Sequence, residues 1–193
     1  MNPALPSAPV EDRQRLFTRS EYHAMADSGI LGPEDRVELI NGKIIAMMPL
    51  GPWHASSTAR LIKILTKAYG ETAIINAGAP VGLGDSGEPQ PDVTIARWSE
   101  DYYAHAHPEP ADILLVIEVA DSSRVFDLGT KLDLYAAHSI SEYWVVDGVR
   151  KCVHVFQQPV DGLFKFTRLY HPGESIPLPE LTDVTLPVTE MGL

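Results

Sequence analysis

Two acids and a lysine stand where chemistry could be done. Asp92 follows Pro91 at the head of an apolar stretch, Val93-Thr94-Ile95-Ala96. Glu118 falls near the end of the most hydrophobic run in the chain, Asp112-Ile113-Leu114-Leu115-Val116-Ile117-Glu118-Val119. A continuous apolar run of that length predicts a central strand covered on both faces. An ionised carboxylate there costs several kcal/mol unless it is paired or holds a metal. Lys131 follows on a predicted helix. Two acids at strand ends with a lysine close behind suit metal-assisted hydrolysis, and the plainer alternative is a buried salt bridge between Glu118 and Lys131. Hard divalent cations such as Mg2+ take oxygen ligands, usually one or two carboxylates with waters and phosphate oxygens. Asp92 and Glu118 would be those carboxylates, with the carbonyl of Val119 as a further ligand. Such an ion would activate a water and polarise the phosphoryl oxygen, and Lys131 would stabilise charge developing on the phosphate or help orient the water.

The elements that must position these residues are legible in outline. Ser20 is the expected N-cap of a short helix over 21–26, closed by Gly29. Two apolar runs, 37–40 and 43–48, flank Asn41-Gly42, a strong hairpin signal. From His54 to Tyr69, the apolar positions Leu61, Ile64, Leu65 and Ala68 recur at helical spacing, with Arg60, Lys63 and Lys67 largely off that stripe. Strands are expected at 72–77, 80–84, 92–97 and 113–119, with a polar loop over 98–111. Ser122 or Ser123 caps a predicted helix to about His138, with Leu128, Leu132 and Tyr135 as its buried stripe. Lys131 lies beside that stripe, its stem at the edge of the core and its amine reaching inward. Runs at 142–146, 152–156 and 164–170 complete a strand-rich second half.

Composition narrows the classes. The chain has 193 residues, of which 45% are hydrophobic, enough for one domain with a full core. Residues 1–17 are Pro-rich and then charged, and read as a flexible arm before a single domain over 18–193. Cys152 is the one cysteine, so neither a disulfide framework nor a cysteine metal site is expected. Neither a signal peptide nor a membrane-length apolar run is visible, and a cytoplasmic location is expected. The net charge of −11, from 15 basic and 26 acidic residues, argues against a protein that coats nucleic acid non-specifically. It is compatible with an enzyme that has a local basic lip and a divalent ion at its site.

A wider set of residues carries a family likeness. Glu38 with Asn41-Gly42-Lys43, then His54, Pro91-Asp92, Glu118-Val119-Ala120-Asp121-Ser122-Ser123, Asp127, Lys131, Tyr135 and Glu142-Tyr143-Trp144-Val145-Val146-Asp147 together resemble the Uma-two family. That family groups restriction-endonuclease-like proteins within the PD-(D/E)XK phosphodiesterase superfamily, and the likeness spans roughly residues 17 to 157. It implies an α/β (α+β mixed sheet) fold with a restriction-endonuclease-like core, a central mixed sheet flanked by helices. It also implies a Mg2+ or Mn2+ site and hydrolysis of phosphodiesters, DNA being the expected substrate. Asp92 matches the aspartate of the superfamily motif and Glu118 its second acid. The position two after Glu118, where a lysine is common, is Ala120, and the resemblance implies that Lys131 replaces it in space. Glu38 matches an acid that the superfamily often supplies from an earlier element.

Each remaining candidate has a plainer reading beside it. Glu38 could be an ordinary hairpin glutamate facing water. His54, at a helix start, could contact phosphate or substrate, and Gln90 could orient a water. Asp127, four residues before Lys131, most simply forms a helical ion pair with it. Gly84-Asp85-Ser86-Gly87 resembles part of a nucleophile loop but reads as a polar turn. His105-Ala106-His107 lacks a third metal ligand and reads as a solvated loop. Two other functions compete with a nuclease: a fold-bearing binding or regulatory protein without turnover, and a phosphoesterase acting on small phosphates. A two-fold homodimer would suit cleavage of both DNA strands.

Overall fold

A computed structural model describes residues 14–193. The continuous apolar run is β5 (Ile113–Ala120), and all eight of its residues are buried. It lies inside a six-stranded sheet with β3 (Ala73–Asn76), β4 (Val93–Arg97), β6 (Glu142–Asp147), β7 (Cys152–Val160) and β8 (Leu163–Tyr170). The spatial order is β3-β4-β5-β6-β7-β8. All neighbours are antiparallel except β5 and β6, so the sheet is mixed. A parallel pair needs a crossover, and the helical segment between these two strands supplies it.

Helices cover both faces. α2 (Pro52–Tyr69) lays Leu61, Leu65 and Tyr69 in one cluster with Ile95, Ile117 and Val119. On the other face, Leu134 and Tyr135 pack with Val116, Tyr143 and Val145. Alternation along β5 therefore sends Ile117 and Val119 towards α2, and Val116 and Glu118 towards the crossover helix.

The hairpin pairs β1 (Val37–Ile40) with β2 (Lys43–Ala46), with Ile40 opposite Lys43. Asn41 and Gly42 both have positive φ, at 50° and 74°, as a tight two-residue hairpin turn requires. A Cβ on Gly42 would sit 2.7 Å from Leu16 Cβ, so both conformation and space demand glycine there. The second strand is shorter than the apolar run, ending at Ala46. Expectation of an arm over 1–17 falls mostly outside the described residues. Of the part described, Phe17 donates its N–H to the Gly42 carbonyl at 2.8 Å.

Three local expectations are corrected. α1 (Arg19–Asp27) is capped by Thr18, not Ser20, because Thr18 and Glu21 form a reciprocal capping box. Residues 80–84 are not a strand. Val81 and Leu83 are buried, but the chain bonds irregularly, Val81 N–H to Pro89 O and Gly82 N–H to Pro108 O, and the alternation comes from a buried loop. The predicted helix after β5 is divided into α3 (Arg124–Phe126), a π-helical turn (Asp127–Lys131) and α4 (Leu132–Ala137). A π turn inserts a residue and rotates everything beyond it relative to an α-helix. Its buried positions are consequently Asp127, Lys131, Leu134, Tyr135 and Ala136, whereas Leu128 and Leu132 are only partly buried. None of the described helices is long and apolar enough to cross a membrane.

Candidate active site

Strand register brings the two acids together. Val93 pairs with Ile117, so continuing one step places Asp92 opposite Glu118 on the face below the crossover helix. Glu38 arrives from β1, whose neighbour Leu39 is tied to Glu88 by two backbone bonds of 3.3 and 2.7 Å. The π turn brings Lys131 in from above. Its Nζ lies 2.9 Å from Glu118 Oε1 and 3.2 Å from Glu38 Oε2. Asp92, Glu118, Lys131 and Glu38 line one cleft with a cavity of about 100 Å³, together with His54, Gln90 and Asp127.

Lys131 is buried, not at the core's edge, and so are both carboxylates beside it. Burial alone would lower its pKa, yet Glu118 and Glu38 outweigh that and raise it, so the amine stays protonated. Burial pushes the Glu118 carboxyl well above the ordinary range, against the pull of Lys131 and with further push from Asp92, Asp127 and Glu38. Tyr135 donates its hydroxyl to the same Glu118 Oε1 at 2.9 Å. Sequence reasoning placed Tyr135 in the packing stripe and missed this contact, although its spacing of four from Lys131 puts both on one helix face.

Asp92 has one backbone donor and a histidine at ion-pair distance. The N–H of Val119 reaches Oδ2 at 2.7 Å, and His54 Nε2 lies 3.0 Å from Oδ1. His54 therefore reaches the site through Asp92, while its buried Nδ1 has no protein partner among the described residues. Along a strand, a residue's N–H and C=O leave on the same edge, so the Val119 carbonyl shares the edge facing Asp92. Gln90 gives its backbone N–H to Glu38 Oε2 at 3.1 Å, but its side-chain amide is engaged by the Val37 carbonyl at 3.2 Å.

Asp127 does not pair with Lys131 as the four-residue spacing suggested. The π turn changes the helical phase, and Asp127 accepts from Ser123 Oγ instead. Burial, partly opposed by Ser123 and Lys131, raises its pKa to about 6. Four acids thus face one ammonium. An excess of carboxylate oxygen over buried positive charge is the donor chemistry that suits a hard divalent cation.

A second group of ligand-type side chains lies on the same sheet face. Donor atoms of Asp147, Cys152 and His154 all fall within 4.8 Å of one another. Asp147 already accepts from Arg124 Nε at 2.6 Å and from the N–H groups of Val149 and Arg150 at 3.1 and 2.8 Å. Burial works against its charge, but these bonds outweigh it and hold the carboxyl below its ordinary range. This Arg124–Asp147 pair also fastens the start of the helical segment that carries Lys131.

The family model Uma2, described as "Putative restriction endonuclease", matches residues 19–189. The chain belongs to the Uma2 family. The match runs beyond the 17–157 span of the sequence likeness, through β8, β9 (Ser175–Pro177) and β10 (Thr185–Pro187). The structure is similar to a crystal structure described as "a putative nuclease belonging to DUF820" from Anabaena variabilis ATCC 29413. That similarity has a TM-score of 0.70 at 18% identity, covering 91% of this chain and 97% of the other. No match was found among curated proteins. The mixed sheet flanked by helices in this Uma2 chain is thus the fold of that neighbour.

Proposed function

We propose that this Uma2 protein is a divalent-metal-dependent endonuclease hydrolysing phosphodiester bonds of DNA. The observation that carries the reading is the meeting of Asp92, Glu118, Glu38 and Lys131 from four separate elements in one cleft. A salt bridge serving stability alone needs one acid for one lysine, and the extra carboxylates make the apo site costly. Asp92, Glu118 and the Val119 carbonyl would hold Mg2+ or Mn2+. When bound, such an ion lowers the pKa of a water and polarises a phosphoryl oxygen.

The chain's own groups divide the remaining work. Lys131, protonated and fixed between two carboxylates, supplies positive charge where the phosphate gains negative charge. Tyr135 and Lys131 together orient Glu118. The Val119 N–H orients Asp92, His54 stands beside it at the head of α2 as a cleft-lining group for phosphate, and Glu38 completes the charged set. Gln90 contributes its backbone N–H to Glu38. The protein is expected to act in the cytoplasm, and a homodimer would place two such sites on two DNA strands.

The test uses supercoiled plasmid with Mg2+ or Mn2+, scored for nicking. Wild type should cleave, and Asp92→Asn should lose roughly two orders of magnitude or more. Equal rates for the two proteins, or no cleavage by wild type with either ion, would overturn the reading.

A further inference from the structure

The geometry points to a second functional surface, a phosphate-backbone lane along the outer face of α2. It rests on the nuclease reading and deepens it by naming where the duplex lies. Arg60, Lys63 and Lys67 are exposed and recur at i, i+3 and i+7, opposite the buried His54, Ser57, Leu61 and Leu65. Among the described residues, none of the three forms a salt bridge. Arg15, Arg19, Arg97, Arg124, Lys131 and Arg168 are each tied to a carboxylate. Arg36, Lys43, Arg150, Lys151 and Lys165 are, among the described residues, unpaired like the three on α2, which are set apart by sharing one helix face. In a chain of net charge −11, three unneutralised cations on one helix face form a local positive strip.

The strip starts towards the head of α2, the end of the helix that borders the candidate active site. Trp53, next to His54, donates its indole N–H to Gly192 O at 3.1 Å, and Lys151 Nζ lies 5.2 Å above its ring. Gly192 abuts Arg60, since a Cβ built there would stand 3.6 Å from Arg60 Cδ. Positive charge therefore runs from Lys151, past Trp53, to Arg60, Lys63 and Lys67. At a rise of about 1.5 Å per residue, His54 and Lys67 are about 20 Å apart along the helix. That distance spans about six base pairs at about 3.4 Å each, which is the length of duplex backbone the strip can follow. A groove of about 640 Å³ lies between Arg60, Lys63, Lys67 and Val184–Thr185, and its one acid, Glu190, leaves an excess of positive charge open to a ligand. Long flexible cations without fixed acceptors suit phosphates, which position a duplex without reading its sequence.

The experiment measures binding of a fluorescein-labelled 30-base-pair duplex by anisotropy, in Ca2+, across a salt series. Full-length wild type is compared with a triple variant, Arg60→Gln/Lys63→Gln/Lys67→Gln, and with Lys165→Gln on the far edge strand. The triple variant should lose roughly tenfold or more in affinity, and its salt slope should fall by about 3, near one per phosphate contact removed. The loss should be the same for unrelated duplex sequences, and Lys165→Gln should match wild type. Unchanged affinity and slope in the triple variant, with its thermal melt intact, overturn the lane while leaving the nuclease reading in place. Hydrolysis of bis(p-nitrophenyl) phosphate by wild type with Mn2+, measured in parallel, separates the two ideas. Turnover of that small ester without duplex binding overturns the lane alone, and duplex binding that depends on the strip without any turnover supports the lane against the nuclease reading.

Discussion

At the scale of single residues, Lys131 is more deeply committed than its sequence position suggested. Removing a surface amine would leave the fold untouched, but this ammonium is the shared partner of buried Glu118 and Glu38. Lys131→Ala should therefore lose both activity, by roughly a hundredfold or more, and stability, on the order of 3–5 kcal/mol. Chemical denaturation of the metal-free variant checks the second part, and a melt equal to wild type would mean the pair is not formed. Asp127 makes a pH prediction. Its pKa rises on folding from the ordinary aspartate range to about 6, so between these values the native state holds a proton that the unfolded chain has released. Stability therefore falls as pH rises through that window and is flat above it. Asp127→Asn abolishes this titration, so the variant should gain on wild type, by up to about 3 kcal/mol, between pH 4 and 7 in metal-free buffer. A constant difference across that range would rule out the buried, protonated aspartate.

Two elements aim the site's charges. The hairpin presents Glu38 only if its turn closes at Gly42, which has φ of 74° and Phe17 and Leu16 packed on its open side. Gly42→Ala should destabilise by more than about 1 kcal/mol, because both the dihedral and the space are wrong for a methyl. Gly129, in the π turn, is the opposite case. Nothing lies within 4 Å of a Cβ built there, and its φ is not positive. Gly129→Ala should raise stability by about 0.4–1 kcal/mol through a less flexible unfolded chain. Urea titrations of both variants decide the pair, and a matching sign for the two would contradict this account of the turns.

For the whole molecule, the cleft's charge imbalance couples to global stability. With Asp92, Glu118, Glu38 and Asp127 around one lysine, the metal-free site carries repulsion that a cation relieves. Asp92→Asn should leave the metal-free protein at least as stable as wild type, since the asparagine oxygen still accepts the Val119 N–H. Millimolar Mg2+ or Mn2+ should raise the wild-type melting temperature and raise that of the variant much less, because a ligand of the folded state alone stabilises it by mass action. Equal shifts would place any bound ion elsewhere, the Asp147, Cys152 and His154 group being the first alternative to examine.

The sequence by itself determined the central strand, the Asn-Gly hairpin, the covering helix over 54–69 and the identities of the charged residues. Each of these follows from local pattern: an unbroken apolar run, a turn dipeptide, a helical period, or a charge where burial makes it expensive. Local pattern also misled where two explanations share one signature. Apolar alternation at 80–84 came from Val81 and Leu83 anchoring a loop, and the four-residue spacing of Asp127 and Lys131 assumed an unbroken α-helix. Tertiary structure decided the rest. Whether Asp92 faces Glu118 depends on strand register, and the partners of Lys131 depend on a π turn and on a hairpin more than eighty residues away in sequence. Long-range register and helical phase are set by packing against the whole sheet, and no short window of residues contains that information.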